Sequence, residues 1–328
     1  MRAGRADERG AALLSVLLLV AVMAVIAAVM LDRLHLATRL AANGQAMTRA
    51  RMAATSAETL ALARAKALVA ADPARTVDRS GLLGRTMTLP LGQAMVDLRV
   101  EDAGNCFNVN SLVEQDAQGV LTLRPAGLWQ LRALMASLGM APGESYLLSD
   151  AMADWIDSDD APAPNGAEDG YYRALPVPYR TAGRLMGDVS ELRAVKGMTP
   201  LLYQRLRPWL CALPVAELSP VNINTLRPEQ ARLLTMLAPQ ALPLERARAI
   251  IAARPAQGFS DTAVLQGAMG AAGASAAGAG QVQVRSRWFL MDEVVRIDRV
   301  QVQEQALVDA GLDPARVVFR SWGGEDAR

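Results

Sequence analysis

The sequence predicts an α+β protein with one long amino-terminal helix, a small antiparallel sheet, and an α-helical domain inserted into it. Three observations carry this. Residues 11–31 are apolar almost without interruption, and no proline occurs between Ala11 and Asp72. Strand signatures occur in two distant places, around residues 85–123 and again from 281 to 322. Between them, apolar residues recur at three- and four-residue spacing, the period of a helix with one buried face.

Composition agrees. The 328 residues are 52% hydrophobic but only 4% aromatic. Alanine and leucine supply the excess, and both favour helix. Thirty-four basic against 33 acidic residues leave a net charge of +1. That balance argues against a chain built to bind polyanions. One histidine, His35, and two cysteines exclude a His-rich metal site, a four-cysteine zinc site and a Ser-His-Asp triad in the soluble part.

Residues 1–10 form a polar leader in which Arg2, Arg5 and Arg9 face Asp7 and Glu8. Residues 11–31 follow, with Ser15 as the one polar side chain. As a helix they span roughly 32 Å, enough for a bilayer core. Residues 32–72 continue the helix outside the lipid, for a total of roughly 90 Å. Three arginines precede the span and four (Arg33, Arg39, Arg49, Arg51) follow it closely, so charge does not set its orientation.

Residues 73–123 and 281–322 form the β domain. Val96–Glu101 alternate strictly, Gly119 marks a hairpin turn before Val120–Leu123, and residues 102–112 are turn-rich. Gln281–Met291, Glu293–Gln303 and Arg316–Trp322 are the later strand candidates. Residues 124–266 form the helical insert, in two units at about 124–214 and 218–266. The run GAMGAAGASAAGAG, within residues 267–280, reads as a flexible linker.

Two features bear on function. Residues 150–169 hold seven Asp or Glu and no Lys or Arg. Seven like charges repel unless a cation sits among them. Asp157, Asp159 and Glu168 fall at positions 1, 3 and 12 of an EF-hand count, but Ala161 and Pro162 stand where that loop needs a ligand and glycine. An irregular calcium loop and a solvated acidic loop both remain open; paired-carboxylate catalysis finds no sugar platform here beyond Trp155. The second feature is a pair of segments, Ser190–Leu213 and Val221–Leu265, that resemble helix-hairpin-helix (SAM-like) units. A membrane-anchored DNA-binding protein is therefore the rival reading. Against it, such modules hold phosphate with a Gly-x-Gly turn. Gly197 stands alone in the first copy, and Pro239 and Pro243 remove amide donors in the second.

The leader ending Arg9-Gly10, followed by AALLSVLLLVAVM, resembles that of type IV pilin-like proteins. The blocks DWIDSD (154–159), GAED (166–169), Tyr171-Tyr172 and Pro178-Tyr179-Arg180 resemble the minor pseudopilins of type II secretion, the general secretion pathway protein K family. The resemblance implies a pilin-like fold and no catalytic activity. It implies cleavage by a prepilin peptidase between Gly10 and Ala11, with methylation of the new amine. Ser15 replaces the acidic fifth mature residue usual in pilins, as suits a subunit with nothing packed ahead of it. Also implied are calcium held by Asp157, Asp159, Glu168 and Asp169, and a place at the pseudopilus tip. The implied partners are the I and J components, the major pseudopilin, and the inner-membrane platform and lipid, without nucleic acid. The amino terminus would be cytoplasmic and the soluble domain periplasmic. In that oxidising compartment Cys106 and Cys211 favour a disulfide over two buried thiols.

Overall fold

A computed structural model describes residues 4–273 and 280–323. Helix α1 (Gly4–Ala70) is 67 residues long. It leads into β1 (Thr86–Leu91), β2 (Ala94–Asp102), β3 (Phe107–Asn108), β4 (Val113–Gln115) and β5 (Leu121–Leu123). The insert continues through α2 (Pro125–Ser137), α3 (Pro142–Asp154), α4 (Asp169–Arg173), α5 (Pro200–Leu206) and β6 (Leu210–Cys211). Then come β7 (Val221–Asn222), α6 (Arg232–Thr235), α7 (Leu244–Ala252) and α8 (Ala263–Gly273). The chain closes with β8 (Val282–Gln283), β9 (Trp288–Ile297), β10 (Val300–Asp309) and β11 (Arg316–Trp322).

The two halves of α1 differ. Residues 12–45 are exposed on every face, and the apolar stretch among them is long enough to cross a bilayer. From Ala46 onward a stripe of Ala46, Ala50, Ala53, Ala54, Ala57, Ala61, Ala65 and Leu68 is buried. These positions recur every three or four residues and so share a face. Methyl-sized side chains let the helix lie close against the sheet.

That sheet has the order β1-β2-β9-β10-β11, antiparallel throughout. The β1–β2 turn places Gly92 at φ 62°, and the β9–β10 turn places Asp298 at φ 52°. Positive φ at a two-residue hairpin loop suits glycine and is tolerated by aspartate. The sheet is thus split across the sequence, with strands before residue 103 and after 287.

Four sequence expectations change. The late hairpin turns at Asp298-Arg299, not at Asp292, because Glu293 lies within β9 on the face against α1. Residues 107–123 belong to the insert rather than to the large sheet: β4 and β5 pair only with each other, and Phe107, Val113 and Leu121 lie in the insert's core. The Gly/Ala run is not linker from its start. Helix α8 extends into it to Gly273, with Leu265 and Met269 buried, while residues 274–279 lie outside those described. Residues 281–287 leave the β domain: β8 pairs with β7 and Val282 lies in the insert's core, so the large sheet resumes at Trp288.

The insert has its own core, from Phe107 to Val282. Cys106 and Cys211 are disulfide-bonded, with Cα atoms 5.8 Å apart. Beside them β3 pairs with β6, bringing Phe107 against Leu210. The asparagines near residue 105 staple the insert's loops. Asn108 Nδ2 donates to the carbonyls of Val215 and Glu217, while its Oδ1 accepts from the Leu213 amide. Asn110 Nδ2 donates to Met186 and Leu213, and its Oδ1 accepts from Met186. Buried amides in loops need such partners, which explains the polar residues in a stretch that otherwise looks like turn.

Candidate metal centre

The carboxyl end of α3 points Asp154 and Asp157 into one place. They are three residues apart, hence on the same face of a helical turn. Before α4 the chain returns Glu168 to them. Asp154, Asp157 and Glu168 are all buried, and each offers an oxygen within 4.8 Å of the others. Among the described residues this is the one such group of metal-ligating side chains.

The loop is fixed around them. Asp150 pairs with Arg132 and accepts from the Asn165 amide and side chain. Ser158 exchanges hydrogen bonds with Leu121, its amide donating at 3.0 Å and its Oγ accepting at 3.0 Å. Lys196 Nζ donates to the Gly166 carbonyl at 2.7 Å and lies over the Tyr171 ring. Behind the loop, Trp155 packs edge-on against Tyr172, 5.3 Å between centroids, and the Tyr172 hydroxyl accepts from the Lys196 amide. Gly166 is required by space: a Cβ there would sit 1.9 Å from Asp154 Oδ2.

Asp154 is partly satisfied, accepting from the Ala163 amide at 3.1 and 3.2 Å. Asp157 Oδ1 and both oxygens of Glu168 are buried with no hydrogen-bond partner. Burying an ionised carboxylate without a partner is costly, so such a group takes a proton or a cation. Burial first, and neighbouring carboxylates second, push the acids up: Asp154 to about 6, Asp157 to about 7 and Glu168 to about 8. Three hard oxygen donors with no sulfur or imidazole suit a calcium-like ion.

Of the four ligands implied by the resemblance, Asp157 and Glu168 stand in this cage. Asp159 is exposed beside it, its Oδ1 capping the Ala161 amide at 2.8 Å. Asp169 turns away. It accepts from the Thr181 amide and hydroxyl and pairs with Arg173. Burial acts to raise its pKa, but the Thr181 hydrogen bonds and Arg173 outweigh it and hold the carboxyl below its ordinary value. Asp154 stands in the cage beside Asp157 and Glu168 instead. The signal was its three-residue spacing from Asp157, which an EF-hand count passes over.

The helix-hairpin-helix segments are used internally. In the second, Asn224 bonds Phe259 through both its amide and its carbonyl oxygen, and Asn222 Nδ2 donates to Ser286. Arg254 donates to the carbonyls of Ile223 and Leu226, and Arg232 to that of Ser137. Groups that would grip phosphate instead hold the fold.

A single-helix stem packed by alanines on a split antiparallel sheet, with a helical domain spliced between its strands, defines a pilin-like subunit. Residues 105–215 and 221–285 match the family models described as "Type II secretion system (T2SS), protein K". The chain is 35% identical over 325 residues to type II secretion system protein K of Pectobacterium carotovorum subsp. carotovorum, covering 98% of each chain. It is 35% identical to that of Aeromonas hydrophila, covering 97% of each. One chain of the crystal structure of the GspK-GspI-GspJ complex from enterotoxigenic Escherichia coli superposes with a TM-score of 0.74 at 27% identity. That match covers 86% of this chain and 98% of the other. The chain belongs to the type II secretion system protein K family. Neither the comparisons nor the internally bonded arginines support the DNA-binding alternative.

Proposed function

We propose that this chain is a minor pseudopilin at the tip of the type II secretion pseudopilus, where it supports filament initiation and protein secretion across the outer membrane. The observation that carries this is the likeness, over 86% of this chain, to a chain solved within a GspK-GspI-GspJ complex. The counterparts of those two partners are the expected neighbours, with the major pseudopilin below. The chain works by packing rather than catalysis. Residues 12–45 of α1 are exposed, where lipid or partner helices can pack, and the insert is a bulk that blocks further addition above.

In this reading the leader is cut between Gly10 and Ala11 by the prepilin peptidase and the new amine methylated. The stem sits in the inner membrane against the secretion platform, and the soluble domain lies in the periplasm. The acidic cage holds calcium through Asp154, Asp157 and Glu168, tying α3 to the loop before α4. The partnerless oxygens of Glu168 support this. The test is co-expression of the tagged full chain with the I and J components of its own secretion system, then purification in detergent. A stoichiometric ternary complex is expected. Recovery of the chain alone, with both partners expressed and soluble, refutes the tip assignment.

A further inference from the structure

The contact between α1 and the sheet is not apolar throughout. One cluster holds Ala46–Ala57 of the helix with Val96, Val295, Ile297, Val300 and Val302. A second holds Ala61, Ala65 and Leu68 with Leu98, Val100, Phe289, Met291, Ala306 and Val308. The positions between them in each element are Glu58 on α1, Glu293 on β9 and Glu304 on β10. All three are buried, at 7%, 1% and 2% exposure. Glu293 and Glu304 stand directly opposite each other in the antiparallel ladder. Three carboxylates therefore form a polar layer across the middle of the stem's docking face.

One cation reaches them. Arg320 of β11 forms a two-pronged pair with Glu58, Nε to Oε2 at 2.9 Å and a terminal nitrogen to Oε1 at 2.8 Å. Glu304 Oε1 lies 2.7 Å from the same Nε, but that N–H is directed at Glu58. Glu293 has no hydrogen-bond partner on either oxygen. On β2 the residue opposite Glu293 is Leu98, which carries no charge. The neighbouring charges belong elsewhere: Asp97 pairs with Arg296, Arg99 with Glu101, and Arg51 of α1 lies over Trp322. Asp292 accepts from Gln305. Among the described residues, one guanidinium thus faces three carboxylates.

Two carboxylates directly opposite in a sheet repel, and burial strengthens the repulsion. A metal ion could relieve it, but these acids do not gather as Asp154, Asp157 and Glu168 do. A proton is the smaller remedy. We propose that Glu293, buried opposite Glu304, keeps its proton, and that this carboxyl pair is a pH-sensitive latch docking the stem helix on the sheet: with the proton in place the helix is held, and its loss loosens residues 46–70. The proposal needs neither the secretion role nor the calcium site. Burial, then the neighbouring carboxylates, raise Glu293 to about 8; burial, then Glu58, raise Glu304 to about 7. A carboxyl raised in the folded state stabilises it below its unfolded value and loses that contribution as pH rises through the folded one. Docking should therefore weaken from mildly acidic to mildly alkaline pH.

The test is hydrogen–deuterium exchange on the full chain in detergent with saturating calcium, across that pH range and corrected for the intrinsic rate. Exchange over residues 46–70 should rise about tenfold per unit for each retained proton on the approach to the folded titration, level off beyond it, and rise less steeply in Glu293→Gln, whose amide mimics the protonated acid and leaves Glu304 to titrate. The infrared difference between wild type and Glu293→Gln at neutral pH should contain a protonated carboxyl band. Flat wild-type exchange, or no such band in the difference, overturns the latch. If Glu293→Gln does not fold, Glu304→Gln serves the same comparison, and flat wild-type exchange alone is decisive.

Discussion

Calcium entering the acidic cage should expel protons, and the number follows from the geometry. The metal-free cage holds carboxyls at about 6, about 7 and about 8 because they are buried and crowded. Near pH 7, Asp154, Asp157 and Glu168 then carry about 0.1, about 0.5 and about 0.9 of a proton, or about 1.5 in all. Metal ligation needs the ionised forms, so binding releases that number. Affinity should rise on the order of 30-fold per pH unit there. The assay is titration calorimetry of the full chain in two buffers of different ionisation enthalpy, which separates proton release from binding heat. Raised carboxyls also make the metal-free fold less stable as pH climbs through these values, so chelation should lower the melting temperature more at alkaline than at acidic pH. Asp169→Asn should leave the proton count unchanged, since Asp169 serves Thr181 and Arg173. Tight calcium binding with no proton release, and the same affinity across that range, would refute the buried-cage reasoning.

Three further outcomes are expected. Cys106→Ser frees a bridge closing a separation of 105 residues and should cost about 4.7 kcal/mol on the chain-entropy model, seen as a lower denaturant midpoint and matched by mild reduction of the wild type. Ala54→Leu puts a branched side chain at a fully buried contact of α1 with the sheet, and overpacking there should cost about 1–3 kcal/mol in thermal melts. Gly10→Glu should leave the leader attached, shown by mass spectrometry of the amino terminus, and abolish secretion; secretion by the uncut chain would remove the leader reading.

A proline-free apolar run laid out the stem, alternation laid out the strand at Val96–Glu101 and the split of the sheet, and a run of like charges laid out the acidic loop, because each is a local pattern. Local composition also marked the loop as strongly negative, with a calcium loop and a solvated loop both open. It could not choose among seven acids, because which of them lose water is set by how α3, β5 and the loop before α4 meet. Asp169 sits beside Glu168 in sequence yet goes to Thr181 and Arg173, while Asp154, twelve residues before Gly166, touches the space that glycine leaves. The hairpin turn at Asp298 and the helical start of the Gly/Ala run were equally out of reach, since both follow from which side chains the far strands and the insert bury. The same holds for the layer of Glu58, Glu293 and Glu304: residues up to 246 positions apart become one electrostatic unit only when the sheet closes beneath the stem.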